Sequence, residues 1–161
     1  MVRESSKPDG DVVLIVDDEP RVRQVARRFF EADGYTVLEA GDGRAALDLA
    51  AGGARIDVLM ADLDMPGIRG DEMAAQMVAA RPGLKVLYVT GNVAELFEGR
   101  QVLGEGEAFL GKPFSQRGLL EAMSLLRHGT LGLGPAGSAP GVPTDQRPPL
   151  RVRLRQLLGR E

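Results

Sequence analysis

Short apolar runs recur along the chain with the length and spacing of buried strands in a parallel sheet. These runs cover residues 12–16, 35–39, 56–61, 84–89 and 108–110, and the second run is the weakest. Between the runs, apolar residues recur with helical spacing, as at Val22, Val25 and Phe29, which lie on one face of a helix. Similar stripes occur within 46–50, 73–80 and 119–126. The pattern therefore predicts that strands and helices alternate.

This alternation predicts a doubly wound α/β domain in which five parallel strands carry helices on both faces. The weakest helix is predicted within 93–106, where Gly99, Gly104 and Gly106 interrupt the pattern, because glycine is a poor helix former. In such sheets, ligands bind beyond the carboxyl ends of the strands. We therefore expect the functional residues at that edge.

The predicted domain spans residues 11–128, and segments of different composition flank it. A polar arm precedes it at 1–10. From 129 to 149, ten of the 21 residues are glycine or proline, which is typical of a linker. The last segment, 150–161, is rich in arginine and leucine. It is predicted either to dock as a short helix on a partner, on the domain itself or on an acidic membrane surface, or to form a frayed end.

Composition and charge narrow the classes of function. The net charge of -3 gives no field that would hold a polyanion, so no nucleic-acid partner is expected. The chain has no cysteine, which excludes disulfides and thiolate metal sites and suits a reducing compartment. The first ten residues are polar and no long apolar stretch follows, so we expect a cytoplasmic protein without a transmembrane segment.

Distinctive polar residues follow four of the predicted strands, at the point where each strand ends. Asp17 and Asp18 follow the first strand, Asp62 the third, Thr90 the fourth and Lys112 the fifth. Because the carboxyl ends of parallel strands lie side by side, these side chains are predicted to share one shallow pocket. Any one of them alone is an ordinary loop or capping residue. The complete set is what indicates a site.

This set of side chains predicts phosphoryl chemistry supported by a magnesium ion. Clustered carboxylates without histidine or cysteine nearby are hard oxygen ligands of the kind that Mg²⁺ prefers. Lysine and threonine are natural phosphate ligands, because one carries a positive charge and the other a hydroxyl donor. A carboxylate that faces the metal can act as a nucleophile and form an aspartyl phosphate.

Four motifs resemble those of bacterial two-component response-regulator receiver domains, in order and in spacing. They are Asp17-Asp18, Asp62-Leu63-Asp64-Met65-Pro66-Gly67, Val89-Thr90-Gly91 and Lys112-Pro113-Phe114. The resemblance covers about residues 11–127 and is strongest to the receivers of hybrid sensor kinases. It implies a flavodoxin-like fold, as in the chemotaxis regulators, with the strand order 2-1-3-4-5.

The resemblance also implies roles for the residues of the pocket. Asp62 would be the phosphoacceptor, and Lys112 would pair with the phosphoryl group. The cofactor would be Mg²⁺, and its implied ligands are Asp17 through water, Asp18, Asp62 and the backbone carbonyl of Asp64.

A two-state switch is implied as well. The hydroxyl of Thr90 would move toward the phosphoryl group, and the ring of Phe109 would turn into the space that it leaves. Phe109 stands where many members of the family have tyrosine, so its turn must depend on packing alone. The peptide bond between Lys112 and Pro113 resembles the family's cis peptide.

The implied protein is a phosphoacceptor signalling domain and not an enzyme. Its partners would be a histidine kinase or a histidine phosphotransfer protein, and a downstream protein target. The fourth predicted helix, the fifth strand and the fifth helix would form the surface for a homodimer. Because no helix-turn-helix pattern follows the domain, we expect a single-domain regulator without DNA-binding output.

The alternative is a haloacid-dehalogenase-like phosphatase, because Asp62-Leu63-Asp64 also resembles the nucleophile and acid pair of that family. The order of the motifs disfavours this alternative. In those phosphatases the paired aspartates open the chain, whereas here Asp17-Asp18 precede them.

Overall fold

The computed structural model describes residues 10–91 and 106–128 of the 161-residue chain. These residues form strands and helices in the alternating order that the sequence predicts. In chain order the elements are β1 (Val12–Val16), α1 (Pro20–Ala32), β2 (Thr36–Ala40), α2 (Gly43–Ala51), β3 (Val58–Asp62), α3 (Gly70–Ala80), β4 (Lys85–Thr90), β5 (Glu107–Gly111) and α4 (Gln116–His128). The helix predicted between β4 and β5, the linker, the tail and all of the N-terminal arm except Gly10 lie outside the described residues.

The five strands pair in parallel in the order β2-β1-β3-β4-β5, which confirms the predicted doubly wound, flavodoxin-like sheet. The direction of winding reverses between β1 and β3, and in such sheets ligands bind at this reversal. In the register, Asp62 lies opposite Val89 and Thr90 opposite Gly111. Asp62 and Thr90 are thus the last residues of their strands and not the first residues after them. Both still lie at the predicted edge.

The core has two layers, because alternate residues of each strand point to opposite faces of the sheet. On one face, Leu14 and Leu59 pack with Met73 of α3. On the other face, Ile15 packs with Phe30 of α1. Helices thus cover both faces, and this double burial is the reason that the strands appear in the sequence as continuous apolar runs.

Local signals define the helix ends next to the site. Pro20 stands at the start of α1, where a missing backbone N–H costs no hydrogen bond. The side chain of Asp42 caps α2 by accepting a hydrogen bond from the backbone N–H of Ala45 at 2.8 Å. Within the described part of the chain, the helices lack the combination of length and apolar composition that crossing a membrane requires.

Candidate functional site

Three carboxylates meet at the carboxyl-terminal edge of the sheet. Asp17 follows β1 and is 1% exposed, Asp62 ends β3 and is 3% exposed, and Asp18 is exposed. One oxygen from each carboxylate lies within 4.8 Å of the other two. Because like charges at this separation repel each other, the arrangement needs compensating positive charge.

Lys112, which follows β5 directly, supplies one positive charge to this cluster. Its Nζ lies 3.0 Å from Oδ2 of Asp17 and 3.5 Å from Oδ2 of Asp62. The carboxylate of Glu19, which is largely exposed, lies 3.5 Å from the same Nζ. The peptide bond between Lys112 and Pro113 is cis, as the family resemblance implies. One lysine among several carboxylates leaves the cluster with net negative charge.

Burial controls the ionisation of the candidate acceptor. Loss of hydration raises the pKa of Asp62 to about 6, and the charge of Asp17 adds to the rise, while the backbone N–H of Asp64 and the charge of Lys112 oppose it. For Lys112, burial acts to lower the pKa, but the hydrogen bond and charge of Asp17, together with the charges of Asp62 and Glu19, outweigh burial and raise it. Lys112 is therefore a fixed cation at neutral pH, and Asp62 is mostly ionised there.

The hydroxyl of Thr90 lies buried on the strand next to Asp62. Its Oγ1 donates a hydrogen bond to Oδ2 of Asp64 at 3.4 Å. The backbone N–H of Asp64 in turn donates to Oδ1 of Asp62 at 3.1 Å. Asp64 therefore connects Thr90 to Asp62. The sequence did not predict this side-chain contact, since the resemblance implies a role only for the backbone carbonyl of Asp64.

Phe109, the aromatic residue of the predicted switch, is buried on the neighbouring strand. It is 2% exposed and stands opposite Tyr88 in the register of β4 and β5. Tyr88 and Thr90 point to the same face of the sheet because they are two residues apart on one strand, and Phe109 packs in the same core layer as Tyr88. Thr90 and Phe109 thus share a face, as a coupled pair requires.

Two residues outside the predicted set contact the backbone of the site. Nη1 of Arg23 donates a hydrogen bond to the backbone carbonyl oxygen of Asp17 at 2.6 Å. Gly70, at the start of α3, lies so close to β3 that a Cβ on it would overlap the carbonyl oxygen of Asp62. Both contacts depend on how a helix approaches the sheet, and the apolar pattern carries no signal for that approach.

The carboxylate cluster fits a magnesium ion by its chemistry. Among the residues that the structure describes, Asp17, Asp18 and Asp62 form a group of metal-binding side chains with suitable spacing. The donors are carboxylate oxygens without imidazole or thiolate, which suits Mg²⁺ better than Zn²⁺. Burial is the main cause of the raised pKa of Asp62, and repulsion from Asp17 and Asp18 adds to it. A divalent cation would relieve this repulsion.

Comparison with known proteins decides the family. The family model of the response regulator receiver domain matches residues 13–124. The chain belongs to this family. Receiver domains are phosphoacceptor signalling domains of two-component systems, bind Mg²⁺ through acidic residues and interact with histidine kinases or phosphotransfer proteins. The match favours a receiver over the phosphatase alternative.

Individual relatives agree with this assignment. Response regulator MprA from Mycolicibacterium vanbaalenii is 37% identical over 130 residues, which cover 79% of this chain and 55% of MprA. The receiver domain of the hybrid histidine kinase CckA is 35% identical, with a TM-score of 0.60 over 71% of this chain and 97% of that domain. The resemblance to receivers of hybrid kinases is thereby confirmed.

A third relative has a metal in its structure. Response regulator TrrA from Thermotoga maritima, determined in complex with Mg²⁺ and BeF, is 25% identical, with a TM-score of 0.61 over 72% of this chain and 98% of TrrA.

The chain of this protein spans about half the length of MprA. The output of a whole regulator is therefore not carried over to it.

Proposed function

We propose that this receiver accepts a phosphoryl group on Asp62 from a histidine kinase or a histidine phosphotransfer protein, in a reaction that depends on Mg²⁺. The observation that carries the proposal is the position of Asp62, which is buried within 3.5 Å of Lys112 and clustered with two further carboxylates. A buried carboxylate is costly to keep charged. Chemistry that needs a nucleophilic carboxylate explains its presence here.

Asp62 acts as the nucleophile of the transfer. One of its carboxylate oxygens forms a bond to phosphorus while the bond between phosphorus and the histidine nitrogen of the donor breaks, and the electron pair of that bond returns to the nitrogen. Only the ionised carboxylate can attack, and a pKa of about 6 leaves most of Asp62 ionised at neutral pH. Nζ of Lys112 neutralises charge on the transferred group.

The proposed metal ligands are Asp18, Asp62 and the backbone carbonyl of Asp64, with Asp17 acting through water. When bound, Mg²⁺ supplies positive charge to the phosphoryl oxygens. Oδ1 of Asp17 already accepts a hydrogen bond from the backbone N–H of Glu19 at 2.8 Å. This engagement supports an indirect role for Asp17.

Thr90 and Phe109 are proposed to transmit the phosphorylated state. The bond from Thr90 to Asp64 is 3.4 Å long, which is weak for a bond between two oxygens. A phosphoryl group on Asp62 offers stronger acceptors, so the hydroxyl moves toward it and the Phe109 ring turns into the vacated space.

The output is proposed to be protein binding, through a surface that includes β5 and α4. The partner that binds this surface is a downstream protein target or a second copy of the chain. The net charge of -3 of the whole chain supports protein over nucleic acid as its partner. The single-domain organisation and the cytoplasmic location stay predictions from the sequence.

Labelling with acetyl phosphate followed by peptide mass spectrometry tests the acceptor. Wild-type protein is expected to gain one phosphoryl group on the peptide that contains Asp62, and EDTA is expected to prevent the gain. Asp62→Asn should abolish the label, whereas Asp48→Asn, which changes an exposed aspartate of α2, should keep it. An undiminished label in Asp62→Asn, or a label confined to another peptide, would contradict the proposal.

A further inference from the structure

Arg23, one turn into α1, connects the acidic loop after β1 to the neighbouring strand β2. Its Nη1 donates to the backbone carbonyl oxygen of Asp17 at 2.6 Å, and its Nε donates to Oε1 of Glu39 at 3.1 Å. The Arg23 side chain is 20% exposed, so most of it is shielded from water. One planar group thus attaches the loop to the strand through two charge-assisted hydrogen bonds.

Glu39 on β2, the partner of Arg23, is also bound by a second arginine. Nη1 of Arg27, one turn further along α1, binds Oε2 of the same carboxylate at 2.6 Å, and Arg27 also pairs with Glu31 at 2.9 Å. The hydrogen bond from Arg27 is the main cause that lowers the pKa of Glu39; burial opposes it and Arg23 adds to it. Glu39 therefore stays ionised with both oxygens occupied, and it holds the guanidinium of Arg23 in one place.

The hydrogen bond from Arg23 reaches the backbone just beyond the last paired residues of β1 and β2. The last pairing of β1 with β2 joins Val16 to Ala40, and the backbone N–H of Asp17 still donates to the carbonyl oxygen of Ala40 at 3.3 Å. The carbonyl of Asp17 belongs to the loop that leads into α1. Because Asp17 is 1% exposed, its carbonyl needs a partner within the protein. Arg23 supplies that partner.

We propose that Arg23 is a positioning residue for the divalent-cation site. By fixing the Asp17 carbonyl, it sets the orientation of the two carboxylates of the acidic loop. Repulsion among the three clustered carboxylates acts to separate them, so ligands that are held in advance bind a cation more tightly than ligands that must be ordered on binding. The inference rests on the proposed function.

A purely structural ion pair would behave differently. Loss of a partly exposed pair changes the free energy of unfolding only slightly, and it leaves the metal affinity of the folded protein unchanged. Loss of a positioning residue lowers the affinity of protein that is still folded. Measuring both quantities separates the two roles.

Arg23→Lys is the main test variant, because lysine keeps the positive charge but cannot bind the Asp17 carbonyl and Glu39 together as a planar fork. The affinity of the full chain for Mg²⁺ is measured by isothermal titration calorimetry with MgCl₂ at constant ionic strength. Urea unfolding in EDTA gives the free energy of unfolding of the same samples. We expect the dissociation constant for Mg²⁺ to rise about tenfold.

Arg81→Lys is the matched control. Nη2 of Arg81 also donates to a backbone carbonyl oxygen, that of Ala50, at 2.8 Å, but it does so at the opposite edge of the sheet, where α3 ends. This variant should keep the wild-type affinity for Mg²⁺. If Arg23→Lys does not fold, Glu39→Gln replaces it, because the amide removes the charge that holds Arg23. Its dissociation constant for Mg²⁺ is expected to rise severalfold.

A folded Arg23→Lys variant that binds Mg²⁺ as tightly as wild type overturns the inference, and so does an equal loss of affinity in Arg81→Lys. Unchanged affinity in Glu39→Gln has the same meaning where that variant is used. Wild-type protein that does not bind Mg²⁺ defeats the proposed function and the inference together. Wild-type protein that binds Mg²⁺ and is labelled on Asp62, with no effect of Arg23→Lys, defeats the inference alone.

Discussion

The ionisation of Asp62 has a consequence for the stability of the metal-free protein. In the folded protein its pKa is raised from 3.8 to about 6, because burial and the charge of Asp17 disfavour the ionised form. The folded protein therefore binds this proton more tightly than the unfolded chain does. Linkage then requires that the free energy of unfolding falls, through Asp62, as the pH rises from 3.8 to above about 6.

Asp62→Asn is accordingly expected to stabilise the metal-free protein at about pH 7.5. The free energy of unfolding should rise by at most about 3 kcal/mol, from a pKa shift of roughly two units. The amide oxygen of the new side chain can still accept the hydrogen bond from the backbone N–H of Asp64. The gain should shrink as the pH falls through 6 and vanish near pH 4, because Asp62 is then protonated in the folded protein. Urea unfolding of both proteins in EDTA measures the difference across this range.

Asp48→Asn serves as the control for this measurement, because Asp48 is exposed on α2 and its neutralisation relieves no buried charge. It should show no comparable gain at any pH. A gain in Asp62→Asn that does not depend on pH, or a loss of stability at about pH 7.5, would be inconsistent with the raised pKa.

Among the elements, α3 begins in direct contact with the end of β3. The backbone N–H of Gly70 donates to the carbonyl oxygen of Leu63 at 3.4 Å. A Cβ on Gly70 would lie 2.9 Å from the carbonyl carbon of Asp62 and still closer to its oxygen, and Cβ atoms in proteins essentially never approach within 3.0 Å. The missing side chain of Gly70 is therefore what lets α3 start beside the candidate acceptor.

Gly70→Ala is expected to destabilise the protein by about 2 to 3 kcal/mol, because both backbones in contact are fixed by the packed core. Labelling of Asp62 by acetyl phosphate should also slow, since the carbonyl and the carboxylate belong to the same residue and shift together. Urea unfolding and labelling rates measure the two effects.

Gly91→Ala is the control for the effect of adding a methyl group, because a Cβ there meets none of the described atoms within 4 Å. Its free energy of unfolding should stay within about 0.5 kcal/mol of wild type. Equal stability of Gly70→Ala and Gly91→Ala would show that the close approach of α3 to β3 does not constrain residue 70.

The strands could be predicted because burial on both faces makes them apolar runs, but their ends could not be placed to the residue. The third strand is predicted at 56–61 and observed at Val58–Asp62. The difference arises at Asp57, whose Oδ2 accepts a hydrogen bond from the backbone N–H of Val12 at 2.8 Å and pairs with Arg55 at 3.0 Å. The backbone N–H of Asp57 also donates to the carbonyl oxygen of Val12 at 2.8 Å. Backbone and side chain therefore hold the chain together before the strand begins, and the apolar periodicity carries no signal for the side-chain part.

For the molecule as a whole, the candidate site could be predicted because topology brings the strand ends together whatever the details of packing. Asp17, Asp62 and Lys112 meet within 3.5 Å in this way. The contacts of Arg23 and Gly70 could not be predicted, because they depend on the distance and tilt of a helix against the sheet. From the sequence, Arg23 is one of several arginines on the polar side of α1, where a solvated side chain is the ordinary expectation.

The same topology makes binding of Mg²⁺ a property of the folded molecule, because the acidic loop and the end of β3 come together only in the folded chain. A ligand that binds only the folded state raises the free energy of unfolding, by about 1.4 kcal/mol at ten times its dissociation constant. MgCl₂ is therefore expected to raise the unfolding midpoint of wild-type protein in urea, in proportion to this gain. Asp18→Asn should lose most of the gain, because it removes an exposed carboxylate of the cluster, whereas Asp48→Asn should keep it.

Ionic strength must be held constant in this experiment, since sodium chloride also screens the repulsion among exposed charges. Screening acts on every exposed charge of the chain and therefore affects Asp18→Asn and wild type similarly. A bound ion acts only through its ligands, so it stabilises wild type more than Asp18→Asn. If MgCl₂ and NaCl of equal ionic strength stabilised wild type equally, the carboxylates would be responding to screening alone, and the acidic cluster would not be a metal site.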